Sequence, residues 1–582
     1  MRQRALAFIA VIIAAAVCAA AGCSKSPSEA PANNSAQAAS SPAQPAAPAM
    51  SPGTPPGPVN VLTYHDDNAR TGENANETIL KPSNVNPREF GKVGFLPVQG
   101  LVDAEPLYVS QLQIRGAKHN VIFVVTEHDR AYAFDADTFA KLWEVSLLGP
   151  DERPSDNRGC GQVTPEIGAT ATPVIDLHGG SHGTMYVVSM SKDSSGKYFQ
   201  RLHALDLTTG KELNGSPETI EATFPGTALP NSNGQVDFEP KQYKERTGLL
   251  LLNGVVYTSW ASHCDYDPYT GWVIGFDGGT LKKTSVLNIE PNGSEGAFWM
   301  SGAGPAVDES GNIYLLAGNG SFEPTLNAQG FPDKGDFGNA FLKLGVSGGK
   351  LFVADYFDMH NTVAESRKDL DLGSGGALVL PDMTDSSGKT RHLAVGAGKD
   401  DIIYLVDRDS MGKFNPDNDN AIYQEIPSTG SDNSTGLGGS GGVYSMPAYF
   451  NGNLYYGAVD DSIRAFKFQQ ARIVTPAASK TAITFGYPGA TPSLSSNGVD
   501  DAIVWAVENN TPAVLHAYDA SNLAHELYNS SQDRKRDEIT GNKFITPMIA
   551  AGKVYVGTPT GVAVFGLLHT AASEPGHRPA KP

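Results

Sequence analysis

The chain has 582 residues, 40% hydrophobic and 18% charged, with 62 acidic against 43 basic side chains and a formal net charge of −19. A surface this acidic repels phosphate backbones, which excludes nucleic acid as a partner. No Cys-x-x-Cys-His run occurs, which excludes a covalently attached haem c.

Taken in chain order, the first segment opens on Arg2 and Arg4, continues as an uncharged Ala/Ile/Val run and ends on Ala20, Ala21 and Gly22 before Cys23. A positive start, an apolar middle and small residues at the cut define a secretory signal peptide over residues 1–22. Cysteine directly after Ala-Ala-Gly resembles a bacterial lipobox, although Ala20 stands where leucine is usual. The resemblance implies acylation of Cys23 and a mature protein held on a membrane of the cell envelope by lipid, without spanning it. Losing Arg2 and Arg4 with the leader, and no acid, takes the charge to −21. Residues 23–58 are Ser, Ala, Pro, Asn and Gly with almost nothing bulky and apolar, so they read as a flexible tether, and 570–582 as an unstructured tail. No other stretch is long and apolar enough to cross a membrane.

Residues 59–569 carry a repeat. In NVIFVVTEHDRAYAFDADTFAKLWEVSL a strand of Val, Ile and Phe is followed by one ending at Asp135 and by a further strand holding Trp143. The same Asp position recurs at Asp206, Asp277, Asp407 and Asp519, and copies without it stand at AFLKLG, SIRAFKF and GVAVFGLL. Pro106, Pro173, Pro305, Pro447, Pro492 and Pro547 each precede an apolar run of strand character. About eight such units, with short β-branched and aromatic strands between Gly, Asn and Asp turns, predict an all-β, eight-bladed β-propeller. The last unit lacks a fourth strand, whereas FGKVGFLPVQG near the start matches AKLWEVSLLG of the first unit, so an N-terminal strand is expected to close the ring. The recurrent Asp residues read as turn formers.

The units AFDADTFAKLW and ALDLTTGKEL resemble the tryptophan-docking repeats of the pyrroloquinoline quinone (PQQ) propeller superfamily, and the resemblance covers nearly the whole chain after the tether. That superfamily includes quinoprotein alcohol dehydrogenases and non-catalytic propellers, so fold membership does not settle chemistry. FWMSGAGPAVDESGNIYLLAGNGSF is similar to the dehydrogenase stretch in which a Trp floors the quinone and a Gly-Asn supplies a metal ligand. This implies a cofactor-binding role for Trp299 and a metal-binding role for Asn319. KDLDLGSGGALVLPDMTDSSGKTRHLAVGAGKD is similar to the stretch with the catalytic aspartate and a basic quinone contact. It implies Asp369 as base and metal neighbour, Lys399 as the basic contact, and Asp371 as the additional carboxylate of lanthanide-dependent members. Asp103, three residues before Pro106, takes the place of another quinone-contacting acid. The implied cofactors are PQQ with Ca2+ or a lanthanide, and electrons would leave to an external acceptor. Against this, the family's two adjacent cysteines are absent, and WASHCDYDPYTGW offers no convincing metal-binding Glu.

Each motif also has a plainer reading: Trp299 packs between blades, Asn319 closes a turn, and Asp369 and Asp371 sit in a solvated loop. Glu127, His128 and Asp129, with His263 and Asp265, could converge at a channel mouth as metal ligands or acid and base, or be ordinary turn residues. Trp260, Trp272, Trp299 and Trp505 suggest sugar stacking, but most stand in strand contexts where core packing is expected. Cys160 and Cys264 are either a disulfide or two free thiols. The segments 222–248 and 321–338 interrupt the repeat and read as loops on one face. Two functions remain open: an envelope dehydrogenase oxidising a small alcohol, sugar or aldehyde, and a non-catalytic scaffold binding envelope proteins or glycans.

Overall fold

The computed structural model describes residues 59–568 apart from 214, 429–434 and 440, so the signal peptide, Cys23, the tether and the tail lie outside the described residues. Among the described residues no helix is long and apolar enough to cross a membrane.

The prolines mark strand starts as their context predicts. Leu107, Val174, Ala306, Ala448, Ser493 and Met548 each open a strand directly after Pro106, Pro173, Pro305, Pro447, Pro492 and Pro547. Proline lacks a donor, so it is tolerated where a strand begins. The recurrent aspartates end the third strands, at Asp135, Asp206, Asp277, Asp407 and Asp519. Their Oδ1 atoms accept backbone N–H bonds from the turn that follows, as in Asp135 with Thr138 at 2.7 Å and Asp277 with Thr280 at 2.9 Å. This is turn chemistry.

Eight of the sheets share one plan, four antiparallel strands in succession, and the fold is a β-propeller. Sheet 1 runs Leu107–Ile114, Ala117–Thr126, Arg130–Asp135 and Lys141–Ser146. Sheets 2 to 8 follow with first strands beginning at Val174, Leu250, Ala306, Leu378, Ala448, Ser493 and Met548. Sheet 8 takes its fourth strand from the N-terminal side of the chain: Phe90–Pro97 pairs antiparallel with Gly561–Leu567, from Phe90↔Leu567 to Pro97↔Gly561. Phe90 then packs on Trp505 and Tyr528 of sheet 7, at 5.4 and 5.0 Å between ring centroids. Trp143 docks between sheets 1 and 2: its Nε1 donates to Leu207 O at 2.9 Å, and a Cβ at Gly210 would come within 2.7 Å of its ring. Trp260, Trp272 and Trp505 are fully buried, which removes them as sugar platforms.

The first strand of every sheet also meets residues 60–74, a polar segment with no repeat character. Asn60 and Val61 pair antiparallel with Val109 and Tyr108 of sheet 1. Leu62 O then accepts from Ile175 N, Asn68 O from Val307 N, Ala69 O from Val379 N, Thr71 O from Tyr449 N and Gly72 O from Leu494 N, all between 2.7 and 3.0 Å. The Asn68 amide donates to Leu251 O and the Asn74 amide to Ile549 O, which adds sheets 3 and 8. The unpaired inner edges of all eight sheets therefore find partners in one short stretch.

Two buried side chains hold that stretch in shape. The Arg70 guanidinium donates to Pro305 O, Thr63 Oγ1, Tyr64 O and Asp67 O at 2.7 to 3.1 Å. His65 touches Arg70 O and Pro492 O through its two ring nitrogens, and burial pushes its pKa down, so it is neutral at pH 7. Gly72 has φ +72°, and a Cβ there would lie 2.3 Å from the His65 ring, so only glycine fits. Replacing Arg70 by Met strands the carbonyls it satisfies. We expect a loss of about 3 kcal/mol or more in denaturant unfolding, against no measurable change for Met at the exposed Arg88.

Candidate functional site

The residues just before each first strand gather on one face of the ring. There they line a cavity of about 250 Å³. Asp103 precedes sheet 1, Lys244 and Arg246 sheet 3, and Trp299 sheet 4. Asp369 and Asp371 precede sheet 5, Tyr444 sheet 6, Tyr487 sheet 7, and Lys543 with Phe544 sheet 8. Asp265, Asn319 and Lys399 enter from the turns after the second strands of sheets 3, 4 and 5. All six residues that the resemblance singles out, Asp103, Trp299, Asn319, Asp369, Asp371 and Lys399, line this one cavity.

Five of the six form a continuous chain of contacts. Asn319 Nδ2 donates to Asp369 Oδ1 at 2.7 Å, and Lys399 Nζ lies 2.5 Å from the same atom and 2.6 Å from Asp371 Oδ1. Trp299 Nε1 reaches Asp371 Oδ2 at 3.2 Å, and Lys399 Nζ stands 5.8 Å from the centre of the Trp299 ring. Burial raises the Asp371 carboxyl above its usual range while Lys399 opposes the shift. Burial pulls Lys399 down, but Asp371 and Asp369 outweigh it and hold the ammonium above the usual lysine range. The two acids differ in exposure: the Asp369 side chain is 73% exposed at the mouth and that of Asp371 only 2%.

The backbone is bent to present these groups. Asp369 has φ +59°, and Met300 and Ser301, directly after Trp299, have φ +35° and +52°. Ser301 Oγ donates to Ser374 O at 2.7 Å, tying the Trp299 turn to the loop that carries Asp371. Left-handed non-glycine residues are costly and persist where surrounding bonds enforce them. Unlike Trp260, Trp272 and Trp505, Trp299 is only half-buried. Its ring closes a box with Tyr444, Tyr487 and Phe544, with successive centroids 5.4 to 6.1 Å apart.

Asp103 sits apart from the chain of five. It accepts from Asn542 Nδ2 at 2.5 Å and lies 3.9 Å from Arg246 Nη1. Glu127 is buried near it, and burial and the Asp103 charge push the Glu127 carboxyl well up.

The other candidate cluster does not assemble. Glu127 accepts from Gly168 N and Thr170 Oγ1, His128 pairs with Glu166, and His263 Nε2 contacts Asn157 O. Among the described residues no three His, Cys, Asp or Glu side chains are placed to hold a metal ion. An ion beside Asp369 and Asp371 would therefore rely on Asn319 and on oxygens of a ligand. Asn319 suits that task, since its Oδ1 is buried with no hydrogen-bond partner, and amide and carboxylate oxygens are the donors that a hard cation takes.

Sequence reasoning missed Lys244, Arg246, Lys543 and the aromatic box. Their shared signal was position, a few residues before a strand start.

Cys160 and Cys264 are paired as a disulfide with α-carbons 6.3 Å apart, the first of the two readings that the sequence leaves open. The bond ties the loops that bring Val163 and Asp265 to the cavity wall.

No family model matches the chain, and no curated protein matches it. Solved structures do. The quinohemoprotein alcohol dehydrogenase of Comamonas testosteroni is similar at TM-score 0.58 and 13% identity, over 89% of this chain and 82% of that one. The quinohemoprotein alcohol dehydrogenase ADHIIG of Pseudomonas putida HK5 gives 0.55 and 14%, over 90% and 82%. A europium-containing methanol dehydrogenase gives 0.53 and 12%, over 87% and 98%. At these identities the likeness shows the propeller fold.

The disulfide closes a loop of 104 residues in sequence. Replacing both cysteines by Ser should cost up to about 4 kcal/mol of stability in the chain-entropy account. Thermal unfolding of the double variant checks this, and reductant added to the wild type should lower its midpoint likewise.

Proposed function

We propose that the cavity is the redox site of a quinoprotein-type dehydrogenase that oxidises a small alcohol, sugar or aldehyde. The observation that carries the reading is the unbroken contact from Asn319 through Asp369, Lys399 and Asp371 to Trp299, five residues from four loops. The similarity in fold to two quinohemoprotein alcohol dehydrogenases and a europium-containing methanol dehydrogenase supports it.

Asn319, Asp369 and Asp371 would hold Ca2+ or a lanthanide ion, and Trp299 would lie under a planar PQQ. When bound, that pair supplies a two-electron acceptor with a polarised carbonyl. The chain's own residues do the rest. Asp369, open to the mouth, accepts the substrate hydroxyl proton on Oδ2, because its Oδ1 is engaged by Asn319 and Lys399. Lys399 stays charged and fixes both carboxylates. Asp371, buried and bonded to Trp299 Nε1, keeps the floor and the acids in register. The Trp299–Tyr444–Tyr487–Phe544 box gives the site an apolar wall. Under this reading the protein works at the cell envelope, tethered through Cys23, and passes electrons to a separate acceptor.

Titration of the protein with PQQ in Ca2+ and in La3+, followed by tryptophan fluorescence, tests the proposal. We expect metal-dependent quenching, with affinity at least tenfold weaker in Asn319→Ala and Asp371→Asn. Absence of binding with either ion would overturn it and leave the scaffold reading, in which the ring binds envelope proteins or glycans.

A further inference from the structure

Four arginines are buried among the described residues, and three have close polar partners in the protein. Arg70 bonds backbone carbonyls, Arg408 donates to Leu393 O and faces Asp308, and Arg464 pairs with Asp461. Arg246 is different. It is 5% exposed and, among the described residues, donates no hydrogen bond and has one ion partner, Asp103, at 3.9 Å. Its guanidinium lies 5.0 Å from the centre of the Phe544 ring, which fixes one face of the planar group and leaves its N–H edge to the cavity.

Two residues away stands Lys244, the only buried lysine among the described residues, whose ammonium meets a neutral acceptor, Gln162 Oε1, at 2.7 Å. Alternation along Lys244-Glu245-Arg246 turns both cations into the cavity and Glu245 away, toward Ser259 N. Burying two like charges side by side with one carboxylate at 3.9 Å from Arg246 costs several kcal/mol. The strain registers on Lys244: burial first, then Arg246, bring its pKa down to about 8, against the opposing pull of Glu127, Asp103 and Asp265. Lys543 adds a third cation at the mouth, 5.8 Å from the centre of the Tyr487 ring. Lys399 is not part of this set, since Asp369 and Asp371 already neutralise it.

We infer that Lys244 and Arg246 form a carboxylate clamp, so that the ligand of this cavity is an organic acid gripped at the end away from the Asp369–Asp371 pair. The inference rests on the cavity being the ligand site, as proposed above, but not on the ligand being a quinone. The acid group belongs either to the cofactor or to the substrate. A carboxylate matches the guanidinium edge with two parallel bonds, and the ammonium takes its outer lone pairs.

Calorimetric titration with PQQ, with its trimethyl ester, with citrate and with inorganic phosphate, on the wild type, Lys244→Met and Arg246→Gln, tests the clamp. Unfolding midpoints verify folding, and the exposed Lys543→Gln supplies a milder third variant. The expected result is that PQQ or citrate binds the wild type, loses at least tenfold in affinity in Lys244→Met and Arg246→Gln, and weakens as pH rises through 8. If PQQ binds and its ester does not, the acid group is the cofactor's. If citrate binds and PQQ does not, the clamp stands and the quinone reading fails. PQQ bound equally by wild type and variants overturns the clamp and leaves the quinone reading intact. Tighter binding of phosphate than of either acid, or no binding of any probe by the wild type, also overturns it.

Discussion

Everything in this ring depends on how the inner edges of its sheets are satisfied. A propeller sheet has its first strand at the axis, and that strand has hydrogen-bonding groups with no neighbour inside its own sheet. Here residues 60–74 meet all eight first strands in sheet order, by backbone pairing at sheets 1 and 7, single carbonyls at sheets 2, 4, 5 and 6, and Asn amides at sheets 3 and 8. The same segment continues into Phe90–Pro97, the strand that completes sheet 8. One N-terminal stretch therefore both fills the axis and closes the circle. Its conformation is held by Arg70 and His65, and its tightest point admits only Gly72.

The axial segment also sets where the site can be. Tyr64 Oη meets Thr546 Oγ1 and His65 N meets Glu105, two residues that stand just before the first strands of sheets 8 and 1. The segment thus packs under the same loops that supply Phe544 and Asp103 to the cavity. Glu105 is buried there, and burial pushes its carboxyl well up. Above this segment, the charged side chains of the cavity wall are free to be organised by a ligand.

The elements that could be read from the sequence are those fixed by their own residues. Six prolines and five aspartates mark strand starts and turns because the missing donor of Pro and the short acceptor of Asp act within a few residues. The closing strand was legible as a displaced copy of the repeat. Residues 60–74 were not, because each touches a different sheet and no periodicity results. Trp299, Asn319, Asp369, Asp371 and Lys399 were found through resemblance, and their mutual contacts span up to 100 residues. Lys244 and Arg246 lie in an interruption of the repeat that reads as a loop. That loop folds into a hairpin, Thr223–Pro225 with Gln235–Asp237, before it delivers them to the wall. The cluster of Glu127, His128 and His263 failed because each finds a separate partner, and burial holds His263 neutral, with its pKa down at about 4. Cysteine pairing over 104 residues is a tertiary fact that spacing alone leaves open.

The cavity wall carries four cations, Lys244, Arg246, Lys399 and Lys543, and four carboxylates, Asp103, Asp265, Asp369 and Asp371. Equal numbers do not mean local neutrality. Lys399 and the two acids before sheet 5 form a tight group with a net negative charge, whereas among the described residues Lys244 and Arg246, just before sheet 3, make a single ion pair, that of Arg246 with Asp103 at 3.9 Å. Electrostatic complementarity then favours a ligand with its own polarity, an electrophilic or cation-assisted end toward Asp369 and Asp371 and an acidic end toward Arg246. The stacking of Arg246 on Phe544 and of Lys399 beside Trp299 places a ring from the aromatic box next to each pole. A flat molecule between those rings would have its long axis set by charge and its plane set by the box, which is the kind of positioning that a redox reaction at one fixed carbon requires.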